Sequence, residues 1–195
     1  MGAMIRLEVF GPHTHLLSTT CAACPHNAAG CCVSPPDHGW SDVGRVVLGG
    51  GRAFLLEQLA AKNLSPVARG LAVRRVRGRT TRLEPRQKKC VYHGARGCTI
   101  ASSLRPSTCN YFLCEDAYRD AGEARGEPDA VAARRAQGAL AALYARWNRE
   151  LEEQIAELFP GGPAWDAEFL DWLGAATEAR MREASCTPEA AMDVG

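Results

Sequence analysis

The chain has 195 residues, of which 46% are hydrophobic and 23% are charged, and its formal net charge is +1. This composition is typical of a globular domain with a sizeable core, and the balanced charge gives no general reason to expect a nucleic acid or an anionic membrane as partner. No apolar run approaches the roughly 18 residues that a membrane-spanning helix needs. The N-terminus lacks the basic start and apolar stretch of a signal peptide, so we expect a cytoplasmic protein in a reducing compartment.

Residues 1–115 contain eight of the nine cysteines together with most of the glycines and prolines. Residues 5–10 alternate apolar and polar side chains, which predicts a strand. The segment from residue 18 to residue 40 is rich in cysteine, proline and glycine and is predicted to be a loop. A loop of that length needs another source of order, and a bound metal supplies one.

Short elements are predicted in the rest of this part. Ser41 is a favourable N-cap for a short helix, and a second helix is expected over residues 52–63, after a glycine triplet. Residues 71–77 alternate in the way a strand does. Residues 89–92 and 98–100 flank a glycine-containing stretch and are predicted to form a hairpin.

Residues 116–195 are rich in alanine, glutamate and arginine, and their apolar residues recur every three or four positions, which predicts helices. Pro128 opens a long helix, and a Pro-Gly-Gly-Pro sequence from residue 160 ends it. A second apolar helix face follows this link. We therefore predict an α+β fold that is mostly α, with a loop-rich cysteine and metal domain at residues 1–115 and an antiparallel helical hairpin at residues 116–195 packed on it. The predicted apolar faces consist of Ala136, Leu140, Leu143, Tyr144, Trp147, Leu151, Ile155 and Leu158 in the first helix, and Trp165, Phe169, Trp172, Leu173 and Ala176 in the second.

The nine cysteines do not suit a disulfide framework, because their number is odd, two of them are adjacent, and no export signal is predicted. In a reducing compartment, clustered cysteines more often bind metal or carry out redox chemistry. Thiolate sulfur favours zinc or iron over magnesium or calcium. Eight of the cysteines fall in two clusters: Cys21, Cys24, Cys31 and Cys32 form the first, and Cys90, Cys98, Cys109 and Cys114 form the second.

The spacing of these cysteines bears on how many ions they hold. The two residues between Cys21 and Cys24 let the chain turn so that both sulfurs reach one ion. Adjacent side chains diverge in extended backbone, so Cys31 and Cys32 are predicted to stand where two subsites meet. Eight thiolates fit one or two zinc sites. Alternatively, four of them hold iron or an iron–sulfur cluster, although the spacing matches neither common ferredoxin pattern.

The histidines and the ninth cysteine are not expected to bind the metal. His26 and His93 lie within the two clusters, but eight thiols are already available, so both are interpreted as polar loop residues. Cys186 lies near the C-terminal end of the sequence and is predicted to be a free thiol.

Three short motifs in the second cluster resemble those of a known family. They read Cys90-Val-Tyr, Gly97-Cys98-Thr-Ile100 and Leu104-Arg105-Pro106-Ser-Thr-Cys109-Asn-Tyr-Phe112, and they follow the CxxC and CC pairs upstream. Together they resemble the YkgJ-type cysteine-cluster family over roughly residues 18–115. The resemblance implies a zinc- or iron-chelating domain, and a similar module is found in flagellin lysine-N-methylases. Cys114 lies beyond the matched motifs and is included as a ligand because it is close to them in the sequence.

Arg105 is predicted to support the metal site without ligating the ion. Pro106 restricts the backbone before it to extended conformations and fixes a turn ahead of Cys109. A guanidinium at this position is expected to neutralise the excess negative charge of a multi-thiolate centre, or to bind a carboxylate.

Three functions fit these features. The first is a metal-binding protein whose ion orders the fold and presents a surface to a protein or peptide partner. The second is an iron–sulfur or iron-dependent enzyme for redox chemistry or peptide modification, which the surplus of cysteines favours. The third is a nucleic-acid-binding regulator that uses the nine basic residues between Arg69 and Lys89. We favour the first and do not expect nucleic acid as a partner, because few aromatic residues lie among the basic ones, which are expected to face the acidic C-terminal helices.

Overall fold

The computed structural model describes residues 4–8, 14–22, 30–77, 88–94 and 97–186. Helices predominate among these residues, and short antiparallel strand pairs accompany them. The predicted α+β, mostly α fold is therefore confirmed. Within the described ranges, no helix is both long enough and apolar enough to cross a membrane.

Short strands form four small sheets in the described part of the chain. The strands are β1 Ile5–Glu8, β2 His15–Ser18, β3 His38–Gly39, β4 Leu64–Val67, β5 Gly70–Val73, β6 Arg75–Arg77, β7 Lys88–Cys90, β8 His93–Gly94 and β9 Gly97–Cys98. All pairings are antiparallel: β1 with β2, β5 between β3 and β4, β6 with β7, and β8 with β9.

The helices are concentrated in the second half of the chain, where α6 alone spans 31 residues. They are α1 Thr19–Ala22, α2 Trp40–Leu48, α3 Arg52–Ala60, α4 Ser107–Tyr111, α5 Glu115–Asp120, α6 Pro128–Leu158 and α7 Ala167–Cys186. Three 3-10 turns, Gly30–Val33, Ser102–Leu104 and Glu123–Arg125, complete the described helical elements. Pro128 is the first residue of α6, as predicted from its fixed φ and missing amide hydrogen.

The larger of two apolar clusters surrounds α2 and draws on both predicted parts of the chain. It includes Val43 on α2, Leu151 on α6 and Leu173 on α7. Helix α7 packs mainly against α2, and the helices approach closely because Gly44 faces Thr177. The cysteine-rich part and the helical part therefore share this core.

The second apolar cluster lies where β1, α4 and α5 meet α6. Ile5, Leu16 and Tyr118 are buried in it, and the rings of Tyr144 and Trp147 meet edge to face with centroids 5.3 Å apart. This cluster anchors the N-terminal strand pair and the helices that follow the last cysteines.

All residues of the predicted helical core except one are buried or half-buried. Tyr144, Trp147, Leu151 and Ile155 all lie in one or other apolar cluster. Leu158 was predicted to join them, and this was wrong: it is 52% exposed because α6 ends at this residue and no further turn covers it.

Several local boundaries differ from the predictions. Helix α2 begins two residues earlier than expected, because its N-cap is Gly39 and not Ser41. Ser41 therefore lies inside the helix and donates from its amide and hydroxyl to Asn148 Oδ1. Strand β7 pairs with β6 and not with the segment that was predicted to form a hairpin with it. The observed hairpin is the shorter β8–β9 pair, and a hydrogen bond from Thr99 N to Tyr92 O (2.8 Å) extends it by one pair of residues. The predicted loop from residue 18 to 40 contains α1, a 3-10 turn and β3, while residues 23–29 lie outside the described residues.

Candidate metal centre

Cys31 and Cys32 lie on the 3-10 turn Gly30–Val33, which contacts β7. The turn starts at Gly30, whose φ of 46° lies in the left-handed region that glycine adopts most easily. Cys31 is exposed, whereas Cys32 is half-buried and packs against the first apolar cluster. A hydrogen bond from the Cys32 thiol to the Cys31 sulfur lowers the pKa of Cys31 to about 6 and raises the pKa of Cys32.

Cys90 is the last residue of β7 and is buried. Burial raises the pKa of its thiol, and negative charge on Cys98 and Cys31 raises it further. The 3-10 turn with Cys31 contacts β7, and the β8–β9 hairpin with Cys98 follows β7 directly in the chain.

Cys98 ends β9, Cys109 lies in α4, and both are exposed. The pKa of Cys109 is raised to about 12 by desolvation of the thiol and by negative charge on Cys98, Cys31 and Cys90. Cys109 therefore belongs to the same neighbourhood as the Cys31–Cys32 pair.

Five cysteines from four separate segments thus form one electrostatic group, which we call the thiol cluster. A negative charge on one member opposes ionisation of the next, so several thiolates coexist there only if a cation compensates them. A bound metal ion supplies that charge and deprotonates the thiols it binds. The donor set therefore fits a soft ion such as zinc or iron. The members of the thiol cluster are Cys31, Cys32, Cys90, Cys98 and Cys109.

The remaining predicted ligands lie elsewhere or outside the described residues. Cys114 is the N-cap residue of α5 and packs against the second apolar cluster, whereas Cys32 and Cys90 pack in the first. Cys21 lies in α1, which contacts α5. Cys24 falls in the segment 23–29 that the structure leaves undescribed.

The described side chains of the thiol cluster do not surround a single point at which an ion could be bound. Among the described side chains, no three cysteine, histidine, aspartate or glutamate residues are grouped closely enough to hold an ion. The thiol cluster is thus a set of neighbouring donors and not a closed coordination sphere. His93 lies beside it on β8, but its Nδ1 accepts a hydrogen bond from Lys89 Nζ (3.0 Å).

Arg45 of α2 fixes the turn that leads from Cys98 to Cys109. Its guanidinium is 1% exposed and donates to the carbonyl oxygens of Ser103 (3.0 Å) and Arg105. It also lies 3.5 Å from Asp42, whose carboxylate accepts a hydrogen bond from Ser107 N at 2.7 Å. The buried pair on α2 therefore holds both ends of this turn.

The other two carbonyl groups of the turn are held in the same way. His38 Nε2 donates to Leu104 O at 3.0 Å, and Asn110 Nδ2 donates to Ser102 O at 2.9 Å. Side chains thus bind all four carbonyls of residues 102–105, which we call the clamped turn. The clamped turn fixes the start of α4 and with it the position of Cys109.

Arg105 was predicted to neutralise thiolate charge, and its described contacts are local. Its Nε donates to Ile100 O at 3.0 Å, and its own carbonyl accepts from Arg45. These contacts connect Arg105 to the backbone before the clamped turn and to the Arg45 side chain of α2. Its role towards the thiols remains a prediction.

His38, Asp42 and Arg45 were not predicted to serve the site. In the sequence, Asp42 and Arg45 are an i,i+3 charged pair, which is equally typical of an exposed helix face. Their burial depends on packing against the clamped turn, some 60 residues later in the chain, so no local pattern indicates it.

No protein-family model, curated protein or solved structure matches the chain. The relation to the YkgJ-type family therefore remains a prediction from the motifs alone.

Proposed function

We propose that this chain is a cysteine-ligated metal-binding protein in which the thiol cluster holds zinc and presents the bound ion beside a surface for a protein or peptide partner. The observation that carries the proposal is that the 3-10 turn with Cys31 and Cys32 contacts β7, which ends at Cys90. In addition, negative charge on Cys98 raises the pKa of Cys90, and negative charge on Cys109 raises the pKa of Cys32. The thiols must stay reduced to bind an ion, so the proposal places the protein in the cytoplasm.

The surrounding fold gives the donors different roles. Cys90 is fixed in β7 and Cys109 follows the clamped turn, so these two thiols are held in place by the protein itself. Cys31 and Cys98 are exposed and offer the side from which an ion enters. A bound ion would neutralise the repulsion among the thiolates and tie the 3-10 turn at Cys31 to β7 and α4.

A second candidate is an iron or iron–sulfur protein with redox or peptide-modifying activity. The favouring observation is that the cluster contains five neighbouring thiols, one more than a tetrahedral zinc site uses. An iron–sulfur cluster held by four thiolates would leave the fifth cysteine available for chemistry.

Anaerobic purification followed by zinc, iron and sulfide analysis distinguishes the two candidates. We expect colourless protein with bound zinc and no sulfide; brown protein containing iron and sulfide would favour the second candidate. Protein that binds neither metal after reconstitution would contradict both.

Cobalt substitution tests whether the thiol cluster is the site. Co²⁺ bound by thiolates gives intense sulfur-to-cobalt charge-transfer bands. We expect Cys98→Ser, an exposed position in the cluster, to reduce these bands and weaken binding, and Cys186→Ser, at the end of α7, to change neither. Equal spectra for both variants would mean that the ion lies elsewhere.

A further inference from the structure

Strands β6 and β7 present three cations on the same face as one of the cluster thiols. In this antiparallel pair Arg75 lies opposite Cys90, and Arg77 lies opposite Lys88. Directly opposed residues project from one face, and alternate residues along a strand share it. Arg75, Arg77 and Lys88, which we call the basic ribbon, therefore share one face with Cys90.

The basic ribbon is available to a partner. All three side chains are exposed. No ion pair joins any of them to an acidic side chain within the described residues, although arginines elsewhere are paired, such as Arg134 with Glu115 and Glu123. The sequence prediction that this stretch faces the acidic helices holds for Arg69, which lies 3.7 Å from Glu152 of α6, but not for the ribbon.

The ribbon adjoins the thiol cluster. Cys90 belongs to both β7 and the cluster, and the 3-10 turn with Cys31 and Cys32 contacts β7. Across an antiparallel pair, Cβ atoms of opposed residues are about 4.5–5.5 Å apart, so the Arg75 side chain starts beside Cys90. An anionic ligand on the ribbon therefore lies next to the metal-binding thiols.

The chemistry of the ribbon favours carboxylates over nucleic acid. Two guanidinium groups and an ammonium group suit side-chain carboxylates, which arginine binds in a bidentate manner. Binding of single-stranded nucleic acid also uses exposed aromatic rings for base stacking. The aromatic ring nearest in sequence, Tyr92, is 7% exposed, and its hydroxyl donates to Gln58 Oε1 at 3.1 Å.

We propose that the basic ribbon docks an acidic segment of a partner protein beside the thiol cluster. The inference rests on the proposed function only in the role of the adjoining cluster, since docking is measurable with or without a bound ion. Electrostatic attraction guides the acidic segment to the ribbon and places it within reach of the metal-binding thiols.

The test uses a fluorescein-labelled oligoglutamate peptide as probe and the full chain as the binding protein. Binding is followed by fluorescence anisotropy at low and high salt, with an oligoglutamine peptide as neutral control and a single-stranded oligonucleotide as the competing class of ligand. We expect the oligoglutamate to bind at low salt and to be released as salt rises, because the attraction is screened.

The ribbon variant combines Arg75→Gln, Arg77→Gln and Lys88→Gln, and the matched control combines Arg135→Gln, Arg146→Gln and Arg149→Gln on α6. Both remove three positive charges from exposed positions, and circular dichroism checks that each folds. We expect the ribbon variant to bind the peptide about tenfold more weakly or worse, and the control to bind it like the unmodified protein.

Three results of the peptide assay would overturn the inference: the unmodified chain does not bind oligoglutamate, both variants lose peptide affinity equally, or the chain binds the oligonucleotide more tightly than the peptide. A fourth would be that the ribbon variant loses cobalt binding but still binds the peptide. The last result would assign the cations to the metal centre itself. If the unmodified protein does not bind cobalt, the proposed function is contradicted. The peptide-binding result still tests the docking inference, because it does not require a bound ion.

Discussion

His38 is fully buried against the clamped turn, where its ring donates from Nε2 to Leu104 O. Burial lowers the pKa of His38, while the negative charge of Asp42 opposes that shift and Arg45 adds to it. In the unfolded chain a histidine titrates near pH 6.5, so the unfolded state takes up this proton first as the pH falls. The stability that depends on the neutral ring is therefore present above about pH 6.5 and is lost below it.

We expect His38→Gln to reduce the loss of stability on acidification. The glutamine amide can donate to the same carbonyl without titrating, whereas His38 contributes up to about 1.4 kcal/mol per pH unit below its unfolded pKa. The measurement is the free energy of unfolding in urea at about pH 7.5 and pH 5.5 for both proteins. Parallel losses in the two proteins would show that His38 is not responsible for the acid sensitivity.

Arg45 is the second residue whose burial leads to a prediction. We expect Arg45→Met to cost about 3–5 kcal/mol, because it leaves the Asp42 carboxylate buried without its cation and frees two carbonyls of the clamped turn. Arg52→Met is the control: Arg52 pairs with Asp171 at the surface, and loss of that pair costs at most about 1 kcal/mol. Chemical denaturation of both variants measures the difference, and equal costs would contradict the structural role of Arg45.

At the scale of elements, the close contact between α2 and α7 depends on Gly44, because glycine has no side chain to hold the two helices apart. A Cβ at Gly44 would lie 1.9 Å from Thr177 Oγ1 and 2.8 Å from Leu173 O, whereas a Cβ at Gly138 of α6 would meet no atom within 4 Å. Both glycines are inside helices, so their substitution by alanine isolates packing from helix propensity.

We expect Gly44→Ala to destabilise the protein by about 1–3 kcal/mol, because the helices must separate. Gly138→Ala is expected to stabilise it by about 0.5–1 kcal/mol through helix propensity alone. Thermal unfolding of the two variants provides the comparison. A Gly44→Ala protein that is as stable as the unmodified one would mean that α2 and α7 are packed less closely than described.

The elements differ in how far they could be predicted from sequence. The apolar stripe of α6 recurs every three or four residues, so Tyr144, Trp147, Leu151 and Ile155 could be assigned to the core from local pattern. The pairing of β6 with β7 could not, because 10 residues separate Arg77 from Lys88 and strand register depends on contacts beyond a local window.

For the whole molecule, the cysteine spacing predicted candidate ligands but could not indicate their three-dimensional arrangement. Cys31, Cys32, Cys90, Cys98 and Cys109 come together through the folding of separate segments, whereas Cys114 packs in the other apolar cluster. The residues that hold the clamped turn are polar side chains on β3, α2 and α4, and polar residues are expected at the surface when only the sequence is known. The three-dimensional grouping of these side chains therefore could not be predicted from the sequence.

The distribution of the core indicates which parts of the fold would depend on an ion if the proposed metal site is occupied. The two apolar clusters bury apolar side chains of α2, α6 and α7. Among the described residues, Cys32 and Cys90 are the members of the thiol cluster that pack in the first apolar cluster. The clamped turn is held by side chains of β3, α2 and α4 rather than by a thiol. The helical body therefore has sources of stability that are independent of a metal.

We accordingly expect a chelator to open the thiol cluster locally without unfolding the helices. Hydrogen exchange of backbone amides should accelerate in the 3-10 turn Gly30–Val33, in β7 and in β9, while α6 and α7 stay protected. Cys98→Ser is the control, because it should show part of the same local acceleration before chelator is added. If the helices instead lose protection together with the cluster, the ion orders the entire fold, as the length of the cysteine-rich loop first suggested.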